Sequence, residues 1–189
     1  PVEIEGEVEL IAWSPRPRSQ MQAGRVLQAD ARRFTVDTMI RELQLDEIEA
    51  YVELRRRALL EEPLAFASSP ADDFASSPHA LMEQLRRGPE CVILGAFEPA
   101  LVGAIGLYRE RHLKASHKAC LWGMYVLPDH RRQGLGGRLL REALRHARAL
   151  PGVSWVHLGV TSAAPEARRL YEREGCESGG PRRTPFDTP

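Results

Sequence analysis

The chain has 189 residues, 43% hydrophobic and 28% charged, and its 26 basic and 26 acidic side chains cancel. That length is enough to bury a full core in one domain, and a neutral balance gives no global reason to bind nucleic acid or an anionic membrane. Apolar runs such as Cys91–Phe97 fall far short of a bilayer span, and no basic, then apolar leader opens the chain, so a cytoplasmic protein is expected.

From Val2 to Trp13 apolar and acidic residues partly alternate (Val2, Ile4, Val8, Leu10, Ala12), the pattern of a half-exposed strand. Ser14–Gln22, rich in Pro, Arg, Ser and Gln, reads as a linker, and Arg33–Ile40 as a second strand. Asp46 and Glu49 have capping-box spacing; Ile48, Val52 and Leu59 share a helical face before Pro63. The stretch "PLAFASSPADDFASSP" reads as a loop or lid carrying Phe66 and Phe74, its Ser-Ser-Pro repeats serving as helix caps. A second helix is predicted over His79–Arg87, ended by Gly88-Pro89.

Glu90–Phe97 and Leu101–Glu110 then read as strands joined by a short hairpin at Glu98-Pro99-Ala100, and Ser116–Leu127 as a third strand. Leu135, Leu139, Ala143, Ala147 and Leu150 recur at helical spacing until Pro151-Gly152. Val153–Val160 is a strand with Val156, Leu158 and Val160 on one face. A last helix spans Ala163–Glu174, with Gly175 as a left-handed cap. This order predicts a mixed α/β sheet.

Three widely spaced cysteines, Cys91, Cys120 and Cys176, form neither a disulfide framework nor a zinc ligand set, and the six histidines lack paired ligand spacing, so no metal is expected. Arg138, Arg141, Arg145 and Arg148 make a stripe that reads as a solvated helix face, and Trp13, Trp122 and Trp155 read as packing residues.

The informative stretch is "VLPDHRRQGLGGRLL", from Val126 to Leu140. A glycine-rich turn between strand and helix frees backbone N–H groups at the positive end of the helix dipole, a natural phosphate site. The Gly-Lys-Ser/Thr of a P-loop is missing. A dinucleotide fingerprint fails too, because Leu139 stands three residues after Gly136.

Arg131-Arg132-Gln133-Gly134-Leu135-Gly136 does resemble the Arg/Gln-x-x-Gly-x-Gly/Ala signature of the GNAT superfamily of N-acetyltransferases, preceded by the family's phrase at Tyr125, Val126, Pro128 and Arg131. "APEARRLYEREGC" is similar to its second motif through Ala167, Leu170, Tyr171 and Gly175, departing at Ala164 (Asn in the family) and Cys176 (Phe). The resemblance implies a GNAT-type α/β fold, with a mixed, mostly antiparallel, splayed central sheet flanked by helices. Residues 1–30 would be an N-terminal extension of strand plus linker, and 31–189 the acetyltransferase domain.

It also implies acetyl-CoA as cofactor. The pyrophosphate would sit on the amides of Arg132, Gln133, Gly134, Leu135, Gly136 and Gly137, with Arg131 supporting the loop or the cofactor. Pantetheine would run along Met124, Tyr125 and Val126, near Ala167 and Tyr171. The implied reaction is direct transfer of acetyl to a primary amine of a small molecule or protein in a ternary complex. The Val126 N–H, or its neighbour's, would hold the oxyanion and Tyr171 would serve as general acid, packing beneath the cofactor being its other reading. Glu110 is the candidate base, with a solvated rim charge, a water chain or an already neutral amine as the alternatives. Thr161 or Ser162 could replace the missing Asn, or act only as caps. A non-catalytic acyl-CoA-binding module and a nucleotide-binding regulatory domain are the competing functions.

After Gly175 the chain offers one ordinary strand near Cys176–Ser178 and a short edge piece at Thr184–Phe186. The N-terminal segment is therefore expected to pair along an otherwise open edge, in its own subunit or in a homodimer, with Val8, Leu10 and Ala12 inward.

Overall fold

Seven strands form one sheet in the order β2-β3-β4-β5-β6-β1-β7. The computed structural model describes residues 8–13 and 38–178, without the side chains of 8–10 and 178. The strands are β1 (Val8–Trp13), β2 (Met39–Glu42), β3 (Cys91–Glu98), β4 (Ala100–Arg109), β5 (Lys118–Val126), β6 (Trp155–Thr161) and β7 (Glu177–Ser178). The helices are α1 (Ile48–Glu61), α2 (Pro78–Leu85), α3 (Leu135–Ala149) and α4 (Pro165–Arg173). Every neighbouring pair is antiparallel except β5 and β6, which run parallel. The expected mixed, mostly antiparallel sheet is therefore what forms.

Helices cover both faces, and β3 shows it by its side-chain alternation. Val92, Leu94 and Ala96 join the core beneath α3, while Ile93 and Phe97 join the one beneath α1 and α2. A strand buried on both faces reads as a continuous apolar run, as "CVILGAF" does. On α1 the buried residues Ile48, Tyr51, Leu54, Arg55, Ala58 and Leu59 trace one stripe. Its entry differs from expectation. A 3-10 turn, Leu45–Glu47, precedes the helix, and the Glu47 carboxylate accepts from the Gln44 N–H at 2.9 Å, so the cap lies two residues before the Asp46/Glu49 pair.

The N-terminal segment lies within the sheet and pairs in its own subunit. β1 takes its place between β6 and β7, Ile11 opposite Leu158 and Ala12 opposite Glu177. The inward face is the reverse of the one expected. Ile11 is fully buried and Trp13 nearly so, while Ala12 is only half-buried. In the run Leu10-Ile11-Ala12-Trp13 either parity offers apolar residues, and the register against β6 selects the odd one. The Val8 and Leu10 side chains, the residues before Val8, the linker Ser14–Gln22, most of Arg33–Ile40 and the Thr184–Phe186 edge piece lie outside the described residues.

Candidate active site

The site begins where β5 and β6 part. They pair from Lys118 opposite Trp155 to Leu121 opposite Leu158, and no further. Just beyond, β5 carries a bulge: Gly106 faces Trp122 and Ala104 faces Tyr125, so Ile105 alone opposes both Gly123 and Met124. Gly123 takes φ +63°, the left-handed conformation such a bulge needs. Past the bulge the outer edge of β6 pairs with β1, at Gly159–Thr161, and its β5 side is left open.

Backbone polarity follows from the register. Gly103 lies opposite Val126, and the Leu127 N–H donates to the Val102 carbonyl at 2.9 Å. Bonded and non-bonded pairs alternate in an antiparallel ladder, so the N–H and C=O of Val126 point away from β4, into the gap. The Val126 carbonyl accepts from Arg131 Nε at 2.9 Å. Arg131 also binds Glu62 through Nη1 at 2.8 Å and lies 5.3 Å from the Tyr125 ring centre. It thus ties the glycine loop to β5 and to the end of α1.

Arg132 (φ +60°) and Gly134 (φ +79°) turn the loop into α3. Among the described residues, none of the amides from Arg132 to Gly137 donates to a backbone carbonyl; the first helical bond is Arg138 N–H to the Gly134 carbonyl, 3.1 Å. Six consecutive free donors at a fifteen-residue helix's positive end fit a diphosphate. The three glycines differ in purpose. A Cβ on Gly134 would meet nothing within 4 Å, so its backbone angle is what demands glycine. A Cβ on Gly136 would come within 3.1 Å of Leu170 Cδ2, and one on Gly137 within 3.1 Å of Glu174 Oε1. Those two glycines let α4 pack closely on α3, and crowding at Gly136 would fall first on Leu170.

A cleft of about 360 Å³ occupies the gap and is lined from both sides of the sheet. Met124, Leu158, Val160, Ala164, Ala167 and Tyr171 line it on the α3/α4 side, and Arg55, Phe66, Asp73, Phe74 and Trp122 on the α1/α2 side. Tyr171 is 8% exposed, and burial raises its phenol well above the ordinary range, so it stays a neutral donor. The structure therefore gathers Met124, Val126, Ala167 and Tyr171 at the gap. The Tyr125 side chain turns the other way and hydrogen-bonds Glu61.

Glu110 follows the last residue of β4, and its N–H donates to the Lys118 carbonyl at 3.0 Å. It accepts from Cys120 Sγ at 3.4 Å, beside Tyr108, which lines the cleft. Val126 stands eight positions along β5 from Lys118, on the order of 25 Å of strand, so Glu110 is not brought to the Val126 amide. The Thr161 hydroxyl is occupied in accepting from the Ala163 N–H at 3.2 Å, and Ser162 is exposed.

The arginine stripe is engaged within the protein. Arg138 binds the Thr38 carbonyl, Arg141 pairs with Glu174 and Arg145 with Glu142, and Arg148 lies 4.2 Å over the Trp13 ring. No group of three or more potential metal ligands exists among the described residues. Trp122 packs as expected, against the α1/α2 core and tilted on Phe74 with ring centres 5.1 Å apart, and it also lines the cleft.

Sequence reasoning missed the buried Arg55–Asp73 pair, 5% and 0% exposed in their side chains. Arg55 donates from Nε to Oδ2 at 3.1 Å and from Nη2 to Oδ1 at 2.8 Å. One signal was available: Arg55 sits seven residues after Ile48 and four before Leu59, on the apolar stripe of α1.

The sequence matches the family model described as acetyltransferase (GNAT) family over residues 48–176. The chain belongs to that family. Its matched region runs from α1 to the end of the second motif, leaving β1 outside. No protein of curated function matches significantly. Among solved structures, a Streptococcus pneumoniae acetyltransferase of the GNAT family is 20% identical with a TM-score of 0.65, covering 74% of this chain and 83% of its own. A Salmonella typhimurium protein solved with its cofactor acetyl-CoA is 20% identical (TM-score 0.63; 74% and 79% covered). A ribosomal-protein-alanine N-acetyltransferase from Brucella melitensis is 22% identical (0.64; 75% and 86%). These likenesses concern the fold. Among the described residues, no helix of this GNAT protein is long and apolar enough to cross a membrane.

Proposed function

We propose that this GNAT-family protein transfers acetyl from acetyl-CoA to a primary amine, of a small molecule or a protein, directly within a ternary complex. The observation that carries the proposal is a cleft at the gap between β5 and β6, lined from both faces of the sheet, with an aromatic, polar lining on the α1/α2 side and free amides in the loop that follows β5. Two reactants can then meet without a covalent enzyme intermediate.

The amides of Arg132 to Gly137 would hold the cofactor's pyrophosphate, and Arg131 would brace the loop by its bonds to Val126 and Glu62. Met124 and Val126, at the open edge of β5, would hold pantetheine as an added strand, with Ala167 and Tyr171 across the gap. Bound there, acetyl-CoA supplies a thioester whose carbonyl is open to a neutral amine. The Val126 N–H, already aimed into the gap, stabilises charge on that carbonyl oxygen. The Tyr171 hydroxyl, kept protonated by burial, donates to the departing sulfur. Its raised value makes it a poor acid in isolation, so the proton moves only as sulfur gains charge. Glu110 does not line the cleft and lies far along β5 from Val126, so the amine enters already neutral and gives its proton to water.

Release of free thiol from acetyl-CoA across an amine panel tests the proposal. Direct transfer requires intersecting initial-velocity lines. Parallel lines, or an acetylated protein isolated without an amine, overturn the ternary mechanism. CoA binding with no turnover on any amine leaves only an acyl-CoA-binding module.

A further inference from the structure

At the α1/α2 end of the cleft, two buried donors lack partners. Arg55 has spent Nε and Nη2 on Asp73, and its Nη1 is without a hydrogen-bond partner. The Tyr51 hydroxyl, on a residue 1% exposed, has none either. Both converge on Gly123: a Cβ at that position would lie 3.4 Å from Arg55 Nη1 and 3.6 Å from Tyr51 Oη. Glycine leaves this point free of a side chain while Arg55 lines the cleft itself. Buried donors are ordinarily satisfied, so a pair left unmade beside a cleft marks a place for an acceptor oxygen.

Charge decides which oxygen. Asp73 already balances Arg55, and a second buried carboxylate would be uncompensated, which is far costlier than burying a neutral acceptor. A carbonyl oxygen suits two N–H and O–H donors without adding charge. Spacing restricts its attachment. Gly123 adjoins Met124, at the edge assigned to the thioester arm, and neighbouring Cα atoms are about 3.8 Å apart. The Val126 N–H assigned to the thioester carbonyl lies three residues further on, roughly 10 Å of strand, and a carbonyl attached beside the reacting amine spans from there to this point.

Resting on the acetyl-transfer reading, we infer that the acceptor is an α-amino group beside a neutral carbonyl, as in an amino-acid amide or a peptide amino terminus, read by Arg55 Nη1 and Tyr51 Oη. Solvent reaches neither atom in this state. The Phe66 ring lies 4.6 Å from the guanidinium carbon and Phe74 rests on Trp122, so the loop carrying both phenylalanines shifts as the carbonyl enters.

The test uses the full chain, acetyl-CoA and three acceptors of one shape: L-phenylalaninamide, L-phenylalanine and 2-phenylethylamine, with a peptide beginning in phenylalanine to separate free amides from peptide termini. The amide or the peptide should exceed the free acid and the simple amine at least tenfold in kcat/KM. Preference for the free acid, or parity of the simple amine, overturns the inference while acetyl transfer stands; no turnover of any amine overturns both. Tyr51→Phe removes a hydroxyl with no partner, so the fold should melt no lower, and the amide-to-simple-amine ratio of kcat/KM should fall about tenfold, chiefly through KM. An unchanged ratio in a folded Tyr51→Phe protein also overturns it.

Discussion

Replacing Ile11 with alanine tests whether β1 is structural. Ile11 is fully buried, pairs with Leu158 and belongs to the core beneath α3, although it lies outside the family-matched region. Truncating a buried isoleucine costs about 2–5 kcal/mol, of which the lost transfer of three carbons is roughly half and the residual cavity the rest. A domain's whole stability is about 5–15 kcal/mol. At about 2–4 °C per kcal/mol for a chain of this size, a loss near 3 kcal/mol lowers Tm by roughly 6–12 °C. The reference is Leu113→Ala, at a side chain 91% exposed, which should move Tm by no more than about 2 °C. Because β1 pairs with β6 of its own chain, Tm should not vary with protein concentration. Calorimetry at two concentrations reads both quantities. An Ile11→Ala protein melting with Leu113→Ala would refute docking of β1, and a concentration-dependent Tm would refute pairing within one chain.

Tyr171→Phe should lower kcat on the order of a hundredfold with CoA affinity nearly unchanged by calorimetry. Because burial raises the phenol's pKa, the wild-type rate profile should show no limb from it between pH 6 and about 9. Gly134→Ala should weaken CoA binding about tenfold in a folded protein, since alanine at φ +79° costs roughly 1–2 kcal/mol and re-aims the amides; Gly136→Ala should instead act mainly on Tm, through Leu170. Glu110→Gln should leave kcat/KM within about twofold at every pH, since Glu110 does not line the cleft; a tenfold deficit near neutrality that shrinks as rising pH supplies neutral amine would return it to the mechanism as the base. All four tyrosines, Tyr51, Tyr108, Tyr125 and Tyr171, are raised chiefly by burial, Tyr125 to about 12. The folded state keeps protons that the unfolded chain loses above about pH 10, so stability is whole below that pH and falls as pH rises toward 12 and beyond. Phenolate absorbance should therefore rise only with alkaline unfolding.

What was legible in the sequence was whatever a local rule enforces. Strands β3 to β6 and helix α3 were readable because period-2 and period-3.6 patterns both track buried faces, and their ends agree to within about two residues. The glycine loop was readable because a left-handed turn with open amides leaves few residue choices. Arg55 was not, although it lies on an apolar stripe. It stands in the run Arg55-Arg56-Arg57, whose other two members do pair at the surface with Glu53 and Glu61, and a charge run reads as a solvated face. Its partner Asp73 is eighteen residues away, in a stretch with no periodicity to mark it. The parity of β1 failed for a related reason, since a register against β6 is a tertiary fact and either parity of its apolar run would do.

Gly123 shows how one backbone requirement can organise a site. In sequence the Trp122-Gly123 pair offers the site no titratable group. The angle of +63° gives the glycine its reason to be there: only such a residue makes the bulge without strain. Three consequences follow from the same point. The extra residue ends the regular register with β4 and coincides with the parting of β5 from β6. Beyond it the ladder resumes in the phase that turns the Val126 N–H into the gap. The missing Cβ leaves space before Arg55 and Tyr51. Amide donor and acceptor subsite are thus held a few residues apart on one strand. A site built this way depends on backbone geometry more than on a catalytic side chain, so its chemistry can persist without an acid at position 122 or 123.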